Sequence, residues 1–339
     1  MTEILARGFQ SRGHDVVVLG YPGGMLEERM RGVAPFEPIL KGMDLHPVTM
    51  VKARIALKKH RSQVVLAMMK KDVRLTVPVA RIHGIPAVVR HANDRSLGGG
   101  LYDRLFFGVL PSHHIVNSQA TRATLLSSAP WIDDAKITVI HNGIDPEPFE
   151  NAEAAAIDVP ANALKFGFVG RLEIRKGLID LARAWDTVAR ALPSAWLVIA
   201  GKGADEAKAR ATFGDAPRVK WLGYRSDIPS ILKSLDILVI PSHWEGFGFI
   251  AAEGLAAGVP VIASRASSLV EIIDDGETGR LVPPHQSESL AGAMIEAARN
   301  PEASRRMAEA GRRRIRNDFG VERMVDDYER TLGALLGGR

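Results

Sequence analysis

Short apolar runs alternate with helical patterns along the whole chain, and this alternation limits the fold more than any other feature. Most of the runs are continuous and rich in Val and Ile, as expected for parallel strands that are covered on both faces. The predicted strands are Asp15–Gly20, Gln63–Met69, Pro86–Arg90, His114–Asn117, Lys136–Ile140, Leu164–Gly170, Ala195–Ala200, Arg218–Gly223, Asp236–Pro241, Val259–Ala263 and Gly279–Val282. Alternation on this scale predicts an α/β protein with parallel sheets.

The helices predicted between these strands have one apolar face. The segment after Gly177 has apolar residues at the spacing of a single helical stripe, and the segment after Gly320 repeats the pattern. A chain of 339 residues has room for about two domains. The irregular segment Pro146–Pro160 is the best candidate for the link between them. We therefore expect two doubly wound domains, 1–148 and 149–319, with a cleft between them for ligands.

The composition excludes several classes of protein. There is no Cys, which excludes disulfide scaffolds, Cys-based zinc sites and thiol catalysis. With 46% hydrophobic and 24% charged residues, the chain is not largely disordered or fibrous. The longest nearly charge-free stretch, Gly246–Ser264, contains Glu253, Pro260 and four glycines, so it fits a helix, a turn and a strand better than a membrane span. No signal peptide is recognised, and we expect a cytoplasmic protein.

Positive charge is concentrated in one segment, Lys41–Arg81, which has ten basic residues against Asp44 and Asp72. A solvated helical face explains this pattern. Attraction to anionic lipid head groups, and thus a peripheral contact with the inner face of a membrane, stays open, as does attraction to an anionic acceptor. Nucleic acid is disfavoured as a partner because no aromatic residue is interleaved with these charges.

The strongest candidate for chemistry is the segment EGFGFIAAE, which runs from Glu245 to Glu253 directly after a predicted strand. Its glycines allow backbone N–H groups to approach a ligand closely, and a helix N-terminus favours an anion there. Two carboxylates beside such a turn are suited to bind hydroxyl groups. The alternative is a tight turn with one buried, paired Glu.

A second candidate, GRLEIRKG, follows the strand at Leu164–Gly170 and precedes a long helix. Arg171 and Lys176 would place two cations at the carboxyl end of a strand, which suits a diphosphate. Arg175 is an alternative to Arg171 that we expect to face solvent. The alternative is that these cations are surface charges at the start of a helix, although the helix dipole disfavours cations there.

Other polar residues give weaker signals. His113 and His114 are adjacent on a strand and should point to opposite faces, which argues against a shared metal ion. Ser242 and His243 have no third member of a hydrolase triad at a recognisable spacing. Ser118 is suited to cap a helix. The sequence therefore predicts no metal site.

The segments VGRLEIRKG, WLGY and DILVIPSHWEGFGFIAAEGLAAGVPVIAS, with ITVIHNGID before them, resemble glycosyltransferase family 4, the glycosyl transferases of group 1. The resemblance covers nearly all of residues 164–300 in order and spacing, and it is weaker but continuous over residues 4–145. It implies the GT-B fold, with an acceptor-side N-terminal domain, a donor-binding C-terminal domain and a C-terminal helix, 320–339, that packs back on the first. It also implies metal-independent sugar transfer from a nucleotide-diphosphate sugar, without further cofactor and with retention at the anomeric carbon. The acceptor would be a glycan, a lipid-linked saccharide or a small molecule.

The resemblance also implies roles for individual residues. Arg171 and Lys176 would neutralise the leaving diphosphate. Glu253 would bind the ribose hydroxyls and Glu245 those of the donor sugar, and His91 would orient groups near the reacting centre. Further donor-binding positions would be the amides of Gly246, Phe247, Gly248 and Phe249, with Gly223 and Tyr224 near the base.

The start of the chain departs from the family pattern. Family members usually begin with a strand and a Gly-rich loop, whereas TEILARGFQSRGHDVVVLG resembles their first helix and second strand. The first strand lies in the middle of a doubly wound sheet. We therefore expect an N-terminal sheet that lacks this strand or has rearranged. Two alternatives to sugar transfer stay open, a non-catalytic nucleotide-sugar binding remnant and a GT-B nucleotide-sugar epimerase.

Overall fold

The computed structural model describes residues 1–40, 46–92 and 96–337. The chain divides into two compact units, Met1–Gly143 with Val321–Arg339, and Ile144–Gly320. Lys41, the first residue of the basic segment, and the last two residues of the C-terminal helix segment lie outside the described residues.

The first unit contains two parallel sheets of unequal size. Its strands are β1 (Val18–Leu19), β2 (Phe36–Glu37), β3 (Val65–Ala67), β4 (Ala87–His91), β5 (His113–Val116) and β6 (Ile137–Val139). β1 pairs with β2, and the other four form a sheet in chain order. The five predicted strands are present, but β1 is much shorter than Asp15–Gly20. The sequence does not predict β2, because two residues between prolines show no periodicity.

The helices of this unit pack around both sheets. Those that precede the second unit are α1 (Thr2–Ser11), α2 (Met25–Met30), α3 (Pro47–Lys59), α4 (Lys70–Ile82), α5 (Leu101–Arg104) and α6 (Gln119–Ser128). α3 begins at a proline, and the His46 side chain caps it by accepting the N–H of Thr49 at 3.2 Å.

The described residues of the first unit form two separate sheets, as expected for an N-terminal sheet that lacks its first strand or has rearranged. Among the described residues, neither β1 nor β2 pairs with β3, so β3 is an edge strand of the larger sheet. α1 contacts both sheets, since Leu5 packs with Val88 of β4 and Ala6 packs with Val18 of β1. One helix thus joins the cores beneath the two sheets.

The second unit has one sheet of six parallel strands. They are β7 (Leu164–Val169), β8 (Ala195–Ala200), β9 (Val219–Gly223), β10 (Ile237–Ile240), β11 (Val261–Ser264) and β12 (Arg280–Val282), in the order β12-β11-β10-β7-β8-β9. All six were predicted to within two residues at each end. The chain order reverses between β7 and β10, which makes their carboxyl ends the expected ligand crevice.

Helices cover both faces of this sheet. They are α7 (Glu147–Glu150), α8 (Leu178–Ala191), α9 (Glu206–Phe213), α10 (Ile228–Lys233), α11 (Phe249–Ala256), α12 (Leu269–Ile272), α13 (Ser287–Arg299) and α14 (Pro301–Asp318). Alternate residues of β8 enter two different cores, Leu197 on one face and Val198 on the other. This two-sided burial explains the continuous apolar strands. The predicted α/β architecture of parallel sheets is confirmed.

The segment Pro146–Pro160 is not a free linker. It contains α7, Ala155 and Ile157 pack on the core of the second unit, and the Ala155 N–H donates to the Ser230 carbonyl at 2.9 Å. These contacts attach the segment to the second unit.

The C-terminal helix, α15 (Val321–Gly337), belongs to the first unit. Met324, Val325 and Tyr328 are buried against Val88 and Ile115 of the larger sheet. Within the described ranges, the helices are all too short or too polar to cross a bilayer.

Candidate functional site

The two motifs meet at the crevice of the second unit. β7 and β10 are neighbours, and Gly167 pairs with Leu238, so the strands end at the same level. The loop after β7 contains Arg171 and Lys176, and the loop after β10 contains Glu245. Because parallel strands present their carboxyl ends at one edge, both loops lie at that edge.

Gly177 allows these two loops to touch. It has a left-handed backbone with φ 74°, and a Cβ there would lie 1.8 Å from the Pro241 carbonyl oxygen. The His243 N–H donates to the Arg175 carbonyl at 2.8 Å. On the other side, Asp205 accepts the Ile174 N–H at 2.9 Å. The loop with Lys176 is therefore held from two directions.

Lys176 and Glu245, to which the sequence assigns separate ligands, contact each other. Lys176 Nζ donates to Glu245 Oε1 at 2.6 Å, and their side chains are only 14% and 8% exposed. The Ser242 hydroxyl donates to the same oxygen at 2.8 Å. Water reaches this pair poorly, so the attraction between the two charges is stronger than at the surface.

Three serines hold Glu245, and the sequence does not predict this role for them. Besides the Ser242 contact, the Glu245 N–H donates to Ser267 Oγ at 2.7 Å and the Ser268 hydroxyl donates to the Glu245 carbonyl at 2.9 Å. Ser267 and Ser268 come from the loop after β11. No periodicity or spacing signals this contact, because it depends on the order of the strands.

The second predicted cation, Arg171, lies at the surface. Its side chain is 65% exposed, and it bonds Glu173 at 2.6 Å. Arg175 bonds the other oxygen of Glu173 at 2.7 Å and is 37% exposed. Arg175, which we expected to face solvent, is thus only partly exposed, and Glu173 binds both guanidinium groups.

The segment Gly246–Phe249 leads into α11, which begins at Phe249. Gly248 is the N-cap residue with φ 82°, a conformation that favours glycine. Phe247 is buried and its ring packs against that of Phe249, which is half exposed. The N–H groups of the first turn of a helix have no partner within the helix and attract anions.

Glu253 lies in the second turn of α11. Burial raises the pKa of its carboxyl group from 4.5 to about 7. Near neutral pH the group is thus protonated in a large fraction of molecules and can donate as well as accept a hydrogen bond.

Gly223 and Tyr224 lie at the end of β9, two strands from β7. Gly223 has a left-handed backbone with φ 66°, and its carbonyl accepts the Gly201 N–H at 2.7 Å. Tyr224 is 70% exposed. No contact among the described residues joins this pair to Lys176 and Glu245.

His91 ends β4 in the first unit. Its Nε2 lies 3.1 Å from Nδ1 of the buried His114, so one imidazole donates and the other accepts. Burial, helped by the charges of Lys70 and Arg90, lowers the pKa of His91 to about 4. His91 is therefore neutral at physiological pH.

The contacts of the remaining polar residues singled out in the sequence are also defined by the structure. His113 bonds Thr138 at 2.8 Å, away from the His91–His114 pair, as its place on the strand predicts. Ser118 caps α6 by accepting the Thr121 N–H at 3.0 Å. Ser242 and His243 contact different carboxylates, Glu245 and Asp180, so they form no hydrolase triad.

Comparison with known proteins identifies the family. Residues 1–148 match the family model for Glycosyltransferase Family 4, and residues 150–314 match that for Glycosyl transferases group 1. The chain is 30% identical to glycogen synthase from Mycobacterium tuberculosis over 364 aligned positions, which cover 93% of this chain and 85% of that protein.

Solved structures share the fold. A glycosyltransferase from Rickettsia africae has a TM-score of 0.86 at 18% identity and covers 99% of this chain and 94% of its own. Anabaena HepE in complex with UDP has a TM-score of 0.82 at 20% identity, covering 98% and 96%. The chain therefore belongs to glycosyltransferase family 4 and has its GT-B fold.

Proposed function

We propose that this glycosyltransferase takes its sugar from a nucleoside-diphosphate sugar bound by the second unit. The observation that supports this most is the buried Lys176–Glu245 pair, which joins the loop after β7 to the loop between β10 and α11 at the carboxyl ends of these strands. A cation, a hydroxyl-binding carboxylate and a helix N-terminus are the groups that a diphosphate joined to a sugar requires.

Lys176 would neutralise the departing diphosphate. Its ammonium has three N–H donors, of which Glu245 uses one, so the others can bind phosphate oxygens. When the bond from the anomeric carbon to the phosphate oxygen breaks, negative charge develops on that oxygen, and a fixed cation stabilises it. Arg171 would add a second cation after turning from Glu173. The N–H groups of Gly246–Phe249 would complete the anion site.

The two glutamates would bind hydroxyl groups. Glu245 is held by Lys176 and Ser242, and its carboxylate keeps lone pairs for the hydroxyls of the donor sugar. Glu253, with its pKa raised to about 7, would bind the ribose hydroxyls as either donor or acceptor. The exposed Tyr224, with Gly223, would lie beside the base.

UDP-glucose is the first donor to test, because HepE has been solved in complex with UDP and with UDP-glucose. We propose that transfer needs no metal, since fixed cations and helix N–H groups supply the charge that a metal would. We also propose that it retains the anomeric configuration, as the family resemblance implies. The NMR coupling constant of the anomeric proton in the first product measures this. An inverted product would refute retention.

His91 would orient a hydroxyl group as a neutral hydrogen-bonding partner. His91 lies at the carboxyl end of β4, which is the end at which open parallel sheets bind ligands. Because its pKa is about 4, its protonation should not shape kcat/KM between pH 6 and 8. If His91→Asn removes the acidic or the alkaline limb of the pH profile of kcat/KM, this role is contradicted.

The acceptor would be a glycan, a lipid-linked saccharide or a small molecule. α3 supports a membrane-bound acceptor, because Val48, Val51 and Ile55 are 56–59% exposed and follow one stripe of the helix. Cations flank this stripe on both sides, Arg54 and Lys58 on one and Lys52 and Lys59 on the other. An exposed apolar stripe between cations suits the surface of an anionic bilayer.

The test is transfer from UDP-glucose by the full chain to soluble glucan and to lipid-linked acceptors, followed as UDP release. The proposal expects activity that Lys176→Met abolishes. Lys165→Met is the matched control, because Lys165 lies on β7 at the amino end of the same sheet and should leave activity unchanged. Equal loss in both variants would refute the assignment of Lys176.

A further inference from the structure

Three metal-ligating side chains meet in the second unit outside the donor-binding residues. We call Asp180, His243 and His285 the His–Asp–His cluster. His243 Nε2 lies 2.6 Å from Asp180 Oδ2, and His285 Nδ1 lies 3.9 Å from the same oxygen. The centroids of the two imidazole rings are 3.7 Å apart, and the ring planes are tilted by 39°. One ligand atom from each residue lies within 4.8 Å of the others.

The three residues come from separate parts of the chain. Asp180 lies in the first turn of α8, His243 in the loop after β10, and His285 in the loop after β12. Asp180 is buried, His243 is 20% exposed and His285 is 66% exposed. The cluster thus has a buried carboxylate at its base and an opening to solvent.

A hydrogen bond explains only part of this arrangement. The contact of Asp180 with His243 is a normal hydrogen bond, but His285 Nδ1 is too far from the carboxylate for one. This nitrogen is nevertheless 3.9 Å from the same oxygen that bonds His243. Two imidazole nitrogens and one carboxylate oxygen that converge in this way are a ligand set for a divalent transition metal.

We propose that the His–Asp–His cluster binds one divalent transition metal ion of the Zn²⁺ class. In a tetrahedral zinc site with bonds of 2.0–2.1 Å, ligand atoms are separated by about 3.3 Å. The observed separations of 2.6 Å and 3.9 Å from Asp180 Oδ2 lie on either side of that value. Each separation would have to change by about 0.7 Å or less to reach that value, and the exposed side would leave a fourth position for water.

The ion would brace the loops of the donor site without touching the donor. His243 faces Asp180, whereas Ser242 beside it contacts Glu245. The His243 backbone also bonds Arg175 in the loop that contains Lys176. Metal binding would therefore tie α8 and the loop after β12 to the loop after β10. The role is structural, and the inference does not depend on sugar transfer.

The experiment is titration of the chelator-treated full chain with ZnCl₂ by calorimetry, with MgCl₂ as the control cation. We expect one Zn²⁺ per chain, a rise in the unfolding temperature, and no binding of Mg²⁺, which prefers oxygen ligands. Saturable Mg²⁺ binding of equal strength, or no saturable Zn²⁺ binding, would overturn the proposal.

Two variants test the ligands. His285→Asn suits the exposed left-handed position of this residue (φ 60°), and Asp180→Asn keeps a hydrogen-bonding oxygen for His243. Each should weaken Zn²⁺ binding at least about tenfold. His14→Ala is the matched control, since His14 also pairs with a carboxylate (Glu329, 2.7 Å) but belongs to no group of three metal-ligating side chains among the described residues.

The readouts separate this inference from the proposed function. Unchanged Zn²⁺ affinity in both His285→Asn and Asp180→Asn would overturn the metal site, whatever the protein does with nucleotides. Circular dichroism verifies that each variant is folded, and His285→Asn, at an exposed position, serves if Asp180→Asn unfolds. Zn²⁺ binding without binding of any nucleoside diphosphate would support the metal site and refute the donor site. Binding of a nucleoside diphosphate without Zn²⁺ binding would support the donor site and refute the metal site.

Discussion

Removal of the cation from the Lys176–Glu245 pair should both destabilise the second unit and weaken nucleotide binding. Removal of the anion should destabilise the unit slightly and leave nucleotide affinity nearly unchanged. Lys176→Met leaves the Glu245 carboxylate 8% exposed, with the Ser242 hydroxyl as its remaining side-chain donor. Glu245→Gln leaves the ammonium of Lys176 available to phosphate and to water. The two single variants and the double variant form a complete cycle.

The magnitudes follow from burial. Removal of one partner of a fully buried ion pair costs about 3–5 kcal/mol. Lys176 is 14% exposed, so some water reaches the site and we expect about 3 kcal/mol for Lys176→Met. Glu245→Gln should cost about 1 kcal/mol, because the amide oxygen still accepts a hydrogen bond. The double variant should cost no more than about 2 kcal/mol, which gives a coupling of about 2 kcal/mol.

Urea unfolding followed by tryptophan fluorescence measures these values. Four of the five tryptophans, at positions 185, 196, 221 and 244, lie in the second unit and report its unfolding. Nucleotide affinity is measured on the same samples. Lys176→Met should weaken binding of the nucleoside diphosphate at least about tenfold, the equivalent of one hydrogen bond to a charged group. Glu245→Gln should leave that affinity within about threefold and lower sugar transfer instead. Additive free energies of unfolding, or equal loss of nucleotide affinity in the two single variants, would refute the reasoning.

Three further predictions concern stability and surface contact. Gly177→Ala should lower the free energy of unfolding by at least about 2 kcal/mol, because the added Cβ would lie 1.8 Å from the Pro241 carbonyl oxygen and because a φ of 74° disfavours alanine. An unchanged stability in urea would contradict this. The pKa of Glu253 is raised from 4.5 to about 7 in the folded protein, so its contribution to stability is full below about pH 4.5 and is lost as the pH rises through 7. Glu253→Gln should therefore remove this decrease in the free energy of unfolding, measured in urea between pH 5 and 8. An unchanged decrease in the variant would count against the buried acid. The double variant Val51→Glu with Ile55→Glu should abolish sedimentation with phosphatidylserine vesicles and leave the unfolding temperature unchanged, because both side chains are more than half exposed. Vesicle binding by this variant, or equal binding of the parent to neutral vesicles, would refute α3 as a membrane-binding surface.

The sequence predicts the second unit better than the first for a physical reason. The inner strands β7, β8, β10 and β11 lie between two cores, so most of their residues are apolar and each strand has clear ends. β1 and β2 have two residues each, and pairing between them depends on tertiary contacts such as that of Val18 with Ala6. Short strands of this kind leave no periodicity to read.

The candidate site was predicted at the level of motifs and not of contacts. Glycine-rich turns and clustered charges mark the loops after β7 and β10, and both do lie at one sheet edge. The Lys176–Glu245 contact joins residues 69 positions apart and follows from the pairing of Gly167 with Leu238, which no local pattern encodes. The same holds for Ser267, whose contact with Glu245 depends on the place of β11 beside β10.

The central claim is that the second unit binds a nucleoside diphosphate through Lys176. The most direct measurement is the unfolding temperature of the parent chain and of Lys176→Met in the presence of UDP, GDP, ADP, TDP or CMP. A ligand at about 100 times its dissociation constant stabilises the folded state by about 2.7 kcal/mol, which raises the unfolding temperature by a few degrees. We predict such a rise with one diphosphate in the parent and none in the variant. No rise with any of the five nucleotides, or the same rise in both proteins, would contradict the claim.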